Sequence, residues 1–322
     1  MRIGILGAAR IASSALIKPA RKNDEVVVAA VAARDVPRAQ AFAAKHGITR
    51  VHDSYEALIA DPDLDAIYNP LPIGLHGRWT RAALDAGKHV LCEKPFTANA
   101  AEAREIAELA AKSDRVVMEA FHYRYHPCAS RVDEIIASGE LGKLKRVEAE
   151  WCFWMPKSAD IRYNYSLAGG ALMDSGCYAV DMVRRFGGST PEVVSAQAKL
   201  RGPQVDRVMT AELRFAGGHT GRIHCSMWST DLPHFTAKVV GDRGELRLNP
   251  LIPFQRFSVR STNGKRVENF GARPTYAYQL DAFAAAVLRG EPVKTTPEEA
   301  VENMTVIDAI YRAAGLALRE PA

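Results

Sequence analysis

From residue 1 to about 120, strand-length apolar runs alternate with stretches of helical period, and this alternation predicts a parallel sheet wrapped by helices. The runs occupy residues 3–7, 26–33, 66–69, 89–92 and 116–120. Between them, Asp53-Ser54-Tyr55-Glu56 and Asn99-Ala100-Ala101-Glu102 read as capping boxes, each setting an oxygen acceptor beside the orphan N–H groups of a helix start. Beyond about residue 143 the period becomes two. Val147, Ala149, Trp151 and Phe153 alternate with charged neighbours, and Ile223, Cys225 and Met227 alternate with Arg222, His224 and Ser226. Gly217-Gly218 and Asp242-Arg243-Gly244-Glu245 separate such runs as hairpin turns, so this part is expected to be mainly antiparallel sheet. Thr296-Pro297-Glu298-Glu299 then opens a closing helix, with a cap, a proline and acidic residues in its first turn.

Length and composition narrow the class. At 322 residues the chain exceeds the roughly 250 to 300 residues that a single core serves well, so two domains are expected. Hydrophobic residues at 48% and charged ones at 25% fit a globular protein rather than a disordered or fibrous one. The apolar runs are too short and too interrupted by charge for a membrane span, and Met1-Arg2 leads directly into Ile3-Gly4-Ile5-Leu6 without a cleavage region, so a cytoplasmic protein is expected. The net charge of +5 is spread along the chain, which argues against a nucleic-acid partner. Five cysteines without a Cys-x-x-Cys pair suit reduced core thiols.

Gly7-Ala8-Ala9-Arg10-Ile11-Ala12 follows the first run and occupies the place of a dinucleotide fingerprint, with Ala9 and Ala12 where its second and third glycines would be. Small residues there let a turn and a helix N-terminus approach a pyrophosphate. The second run ends in Ala32-Ala33-Arg34-Asp35, where an NAD site usually places an acid against the ribose 2′-OH. Ala33 and Arg34 stand there instead, with Arg38 one turn on, and guanidinium groups pair with a 2′-phosphate, so NADP is favoured over NAD. The alternative for both arginines is a solvated helix start.

Cys92-Glu93-Lys94-Pro95 follows residues 88–91 and puts Lys94 at the carboxyl end of a parallel strand, where open α/β sheets bind ligands. Further on, Gly169-Gly170-Ala171-Leu172-Met173-Asp174-Ser175-Gly176-Cys177-Tyr178 places Asp174 and Tyr178 four apart, on one helix face. A lysine, a carboxylate and a phenol form a candidate constellation for proton and hydride chemistry. Each also has an ordinary role open to it: a solvated lysine, a helix-start carboxylate, a core phenol.

In segments 4–12, Glu93-Lys94-Pro95 and 169–178, taken in that order, the chain resembles the Gfo/Idh/MocA oxidoreductases. Ala32-Ala33-Arg34-Asp35, residues 91–95 and Tyr178 make it most similar to the dihydrodiol dehydrogenase and sugar dehydrogenase branch. The resemblance implies an α/β protein with a Rossmann doubly wound parallel sheet over residues 1–121. Over 122–322 it implies a substrate-binding and dimerisation α+β domain with a large open, mostly antiparallel sheet. It also implies an NAD(P)-dependent oxidoreductase acting on CH–OH groups, which passes hydride between nicotinamide and the carbinol or ketone of a sugar, polyol or cyclic diol. Lys94 would touch the substrate oxygen and the nicotinamide ribose, Tyr178 would take the hydroxyl proton, and Asp174 would orient the pair or the substrate hydroxyls. A phenol with its ordinary pKa of about 10 is a poor base at neutral pH, so the implied role needs cations to lower it.

By the same resemblance the cofactor contacts are Gly7, Ala8, Ala9, Arg10, Ile11, Arg34, Arg38, Leu71, His76, Glu93, Lys94 and Arg162. Arg124 and Tyr163 are the candidate substrate contacts, and a homo-oligomer, a dimer or a dimer of dimers, is expected. Two other functions fit the same motifs: an NAD-dependent glycoside hydrolase of this family, and a cofactor-bound sensor without turnover. His122 and His126 have the spacing of a helical metal pair, but Pro127 interrupts a helix there, so no metal is expected. Trp151, Phe153 and Trp154 are read as core or interface residues rather than a substrate wall.

Overall fold

The computed structural model describes residues 1–156, 160–229, 234–249 and 254–322. They form two compact units. One contains Met1–Tyr125, Arg273–Val301 and Pro321; the other contains His126–Ala272, Glu302–Glu320 and Ala322.

In the first unit, β1 (Arg2–Leu6), β2 (Val27–Ala32), β3 (Arg50–His52), β4 (Ala66–Asn69), β5 (His89–Cys92) and β6 (Val117–Glu119) lie in the order β3-β2-β1-β4-β5-β6. Every neighbouring pair is parallel. Strands covered on both faces need continuous apolar sequence, and residues 3–6 and 66–69 are buried throughout. The strand order reverses between β1 and β4, the place at whose carboxyl ends open α/β sheets bind ligands. β3, only three half-buried residues long, carried no apolar run by which to be foreseen.

Residues 122–125 and 273–301 also belong to this unit. Helix Thr275–Arg289 presents Leu280, Phe283 and Ala284 to the same core as Ile3, Ile5, Leu16, Tyr68, Leu91 and Met118. Its apolar stripe is what brings residues 273–301 back to the first unit. Helix starts follow the expected caps with one shift: Ser54 rather than Asp53 accepts the Ala57 N–H, while Asn99 accepts the Glu102 N–H. The Glu102 carboxylate reaches back to the Ala98 N–H, one residue beyond the position a capping box would use.

The second unit is built on β7 (Leu144–Cys152), β8 (Glu192–Leu200), β9 (Asp206–Arg214), β10 (Thr220–Ser226), β11 (His234–Gly241), β12 (Gly244–Leu248), β13 (Arg256–Ser261) and β14 (Gly264–Asn269). Their order is β14-β13-β12-β11-β7-β10-β9-β8. All pairs are antiparallel except β7 with β10, as expected of a mostly antiparallel sheet. The period of two sorts the faces. Val147 and Ala149 are buried in register with Ile223, Val239 and Ala237, while Arg146, Glu148 and Glu150 stay half-exposed. Helix Cys177–Gly187 packs on the apolar side, against β7 and β10.

All five cysteines are free thiols and buried. Among the described residues, no helix is long and apolar enough to cross a membrane.

Candidate active site

In the first unit, the turns after β1, β4 and β5 stand side by side at the carboxyl edge of the sheet. Gly7 has φ +84°, and a Cβ on it would come within 3.0 Å of Leu71 Cδ2, so a side chain at position 7 would fill the gap between these turns. The helical turn that follows, Ser13–Ile17, starts at Ala12 without a side-chain cap. Backbone carbonyls take its first N–H groups instead: the Ala12 N–H donates to Ala9 O, and the Ser14 and Ala15 N–H groups to Ile11 O. Ala8 is nearly buried, and Arg10 and Ile11 are exposed on the turn.

Beyond β2, Ala33 is buried and Arg34 exposed. The Asp35 carboxylate accepts the Arg38 N–H at 3.0 Å and thereby caps helix Val36–His46, while Arg38 Nη2 donates to the Ala8 carbonyl at 3.0 Å. The one acid at this strand end is therefore committed to the helix, and two guanidinium groups flank the edge. Tyr55 joins them. Burial pushes its phenol up, and Arg34 and Arg38 offset only part of the rise. Its hydroxyl lies 3.8 Å from where a Cβ on Gly7 would be, and its ring meets Trp79 edge-on at 4.9 Å. The sequence marked Tyr55 only as part of a cap.

The β4 and β5 turns are tied together by His76, which is 1% exposed. Its Nδ1 lies 2.8 Å from the Pro95 carbonyl and its Nε2 2.7 Å from the Leu71 carbonyl. Burial pushes the imidazole down to about 4, and Lys94 adds to the fall, against the pull of the two carbonyls. Asn69 Nδ2 completes the bracket by donating to the His76 carbonyl at 3.1 Å. Lys94 is half-buried and precedes Pro95 through a cis peptide bond. Glu93 accepts the Tyr68 hydroxyl at 2.8 Å and, on its other oxygen, the Lys94 backbone N–H at 3.3 Å. The structure thus gathers Gly7, Ala8, Arg38, Leu71, His76, Glu93 and Lys94 along one sheet edge. Arg124 pairs with Glu299 at 3.3 Å, and its side chain is 12% exposed.

In the second unit, Asp174 sits in the π-helical turn Leu172–Gly176, and Tyr178 in the helix Cys177–Gly187 that continues it. Asp174 Oδ2 is 2.9 Å from Arg162 Nε, and the same guanidinium binds Asp160 at 3.0 Å. Asp174, followed by Asp160, raises Arg162 above its ordinary pKa. Tyr178 is 5% exposed and stacks on Trp151 with centroids 4.2 Å apart and planes 8° from parallel. Phe235 and Phe254 extend the aromatic group at 4.6 and 5.9 Å from the indole. Trp151, read as core, therefore lies against the candidate proton acceptor, while Trp154 is 61% exposed. The Tyr163 hydroxyl donates toward the Met155 and Met227 carbonyls at 3.0 and 3.3 Å, and its ring lies under the Arg201 guanidinium at 4.5 Å.

Among the described residues no three His, Cys, Asp or Glu side chains are grouped to hold a metal ion. The His122 ring meets that of Tyr276 at a tilt of 44°, with centroids 4.1 Å apart, and His126 accepts the Cys128 N–H at 3.2 Å to cap helix Pro127–Ala137.

Residues 1–121 match the model of the oxidoreductase family with an NAD-binding Rossmann fold, and residues 129–247 match the GFO/IDH/MocA C-terminal domain. The chain is 40% identical over 320 residues to the D-xylose 1-dehydrogenase (NADP(+)) 2 of Haloferax volcanii, covering 98% of this chain and 97% of that one. It is 35% identical over 256 residues to the trans-1,2-dihydrobenzene-1,2-diol dehydrogenase of Mus musculus, covering 78% and 75%. A crystal structure of a 3-ketoreductase from Actinomadura kijaniata, in complex with NADP and TDP-benzene, superposes with a TM-score of 0.89 at 28% identity, covering 97% of each chain.

Proposed function

The chain belongs to the Gfo/Idh/MocA family and is an NAD(P)-dependent oxidoreductase of CH–OH groups, and from that premise we propose a sugar or cyclic diol as its substrate. NADP is the preferred coenzyme. The observation that carries the proposal is the sheet edge on which Gly7, Leu71 and Lys94 emerge beside the reversal of strand order, held by one buried histidine.

The residues there suit a dinucleotide. Gly7, with no side chain to fill the gap beside Leu71, suits the close approach of a pyrophosphate, and Arg34 with Arg38 suits a 2′-phosphate, since Asp35 is spent on its own helix. A nicotinamide bound there supplies the acceptor for hydride from the carbinol carbon. Lys94 binds the substrate oxygen and the nicotinamide ribose. Tyr178 takes the hydroxyl proton during oxidation and returns it during reduction. Asp174, oriented by Arg162, holds substrate hydroxyls. Support for the sugar or diol comes from the xylose and dihydrodiol dehydrogenases that the chain resembles. The reading also includes a cytoplasmic setting, in keeping with five free buried thiols, and a homo-oligomer.

The test is a screen of the purified protein with NADP and with NAD against D-xylose, other aldoses, inositols and trans-dihydrodiols, followed by nicotinamide absorbance. Turnover of one of these carbinols, faster with NADP, is expected. No change of the coenzyme with any carbinol or with the matching ketones overturns the reading.

A further inference from the structure

Among the described residues of the second unit, a charged pair with no exposed side-chain surface lies outside every segment that the motifs mark. Arg319, in the segment after helix Pro297–Ala313, and Asp206, at the start of β9, are 2.8 Å apart, and both side chains are 0% exposed. Burying two charges is costly unless every polar atom is used, and here they are extensively used. Asp206 Oδ1 accepts from Arg319 Nη2 and from the Tyr311 hydroxyl at 2.9 Å. Asp206 Oδ2 accepts the Leu172 N–H at 2.7 Å. Arg319 Nε donates to the Gly169 carbonyl at 2.8 Å, and Nη1 to the Ala317 carbonyl at 3.2 Å. The guanidinium lies 4.2 Å from the Tyr311 ring centre and 4.9 Å from that of Tyr165, whose hydroxyl donates to the Leu318 carbonyl.

The Leu172 N–H belongs to the first turn of the helical stretch that carries Asp174 and Tyr178. First-turn N–H groups have no acceptor within their own helix, and Ala171 at the cap position offers no side-chain oxygen. Asp206 does the capping from 34 residues away, with its charge at the end of the helix where the dipole favours an anion. Gly170 leaves room for it: with φ +148°, a Cβ there would stand 2.2 Å from Asp206 Oδ1. A buried ion pair of this kind adds little stability over apolar packing.

We propose that Arg319 is a positioning residue, which by gripping Asp206 and the Gly169 carbonyl sets where the helix start bearing Asp174 and Tyr178 lies. The inference rests on the reading that Asp174 and Tyr178 meet the substrate.

The test compares full-length Arg319→Met, Arg319→Lys and Asp206→Asn with wild type and with Tyr178→Phe, well below each variant's melting temperature. Two readouts are taken: backbone hydrogen exchange by peptide, and turnover of D-xylose with NADP. In Arg319→Met, exchange over 169–178 is expected to rise about tenfold while the first unit keeps its protection, and kcat to fall about tenfold or more with KM for NADP unchanged. Added guanidinium ion restores part of kcat in Arg319→Met and none in Tyr178→Phe, and Arg319→Lys is intermediate. A folded Arg319→Met with unchanged exchange over 169–178, or with loosened exchange but wild-type kcat, overturns the proposal and leaves a packing role. Wild-type turnover in Tyr178→Phe instead overturns the catalytic reading, whatever Arg319 does.

Discussion

Arg162 Nε lies 2.9 Å from Asp174 Oδ2, so an arginine assigned to the cofactor is joined to the carboxylate assigned to the substrate. The contact is partly sheltered, with the carboxylate side chain 15% exposed and the guanidinium 37%. If the pair acts together, Arg162→Leu and Asp174→Asn each lower kcat/KM, and the double variant loses less than the two losses combined. A coupling of about 1 kcal/mol is expected for a pair of this exposure. A double-mutant cycle on kcat/KM measures it, and strict additivity means that the two side chains work separately.

Lys94→Ala and Tyr178→Phe should each cut turnover by about a hundredfold or more, while NADP binding by Tyr178→Phe, followed by quenching of protein fluorescence, stays within about threefold of wild type. That split is what a residue acting mainly in the transition state produces. Two variants that both turn over normally remove the assignment.

Arg34 is exposed at the end of β2, and Asp35 is engaged by the Arg38 N–H. Arg34→Ala should therefore weaken NADP by about tenfold or more and leave NAD nearly unchanged, since only the former carries a phosphate for the guanidinium. Dissociation constants for both coenzymes check it; equal losses would show that Arg34 does not meet the 2′-phosphate.

His76 ties folding stability to pH. Its folded-state value is pushed down to about 4 from an ordinary 6.5, so in this range the unfolded chain binds the proton more readily than the native one. Stability from this group is therefore complete above pH 6.5 and is lost as pH falls from there toward 4, in total about 3 kcal/mol. Urea unfolding of wild type and His76→Gln at several pH values tests this. The variant should be less stable at neutral pH and should show a shallower acid slope between those limits. Parallel slopes would assign the acid sensitivity to other groups.

Local features announced themselves in the sequence because their causes are local. Continuous apolar runs mark strands buried on two faces, and alternation marks the one-sided sheet around Val147 and Ala149. Asn99 and Thr296 signalled helix starts because a cap acts within three residues, and the shift from Asp53 to Ser54 is the one-residue uncertainty of such signals. Lys94 and Tyr178 stood out through the motifs that surround them. Long-range partnerships left no such trace. The capping of Leu172 by Asp206, the engagement of Asp206 by Arg319, and the stacking of Trp151 on Tyr178 all join residues far apart in the chain. Helix Thr275–Arg289 showed its apolar stripe but not the core it would complete. Tyr55 was hidden for the opposite reason, since a residue already explained by a cap prompts no second question.

A neutral imidazole has a single ring proton, and His76 faces two backbone oxygens, each within 2.8 Å of one nitrogen. It can donate to only one of them at a time. With the proton on Nδ1 the Pro95 loop is bonded and Leu71 is merely touched; with the proton on Nε2 the preference reverses. The two turns that frame the sheet edge thus compete for one hydrogen, and a ligand that draws on either carbonyl decides which tautomer the ring adopts.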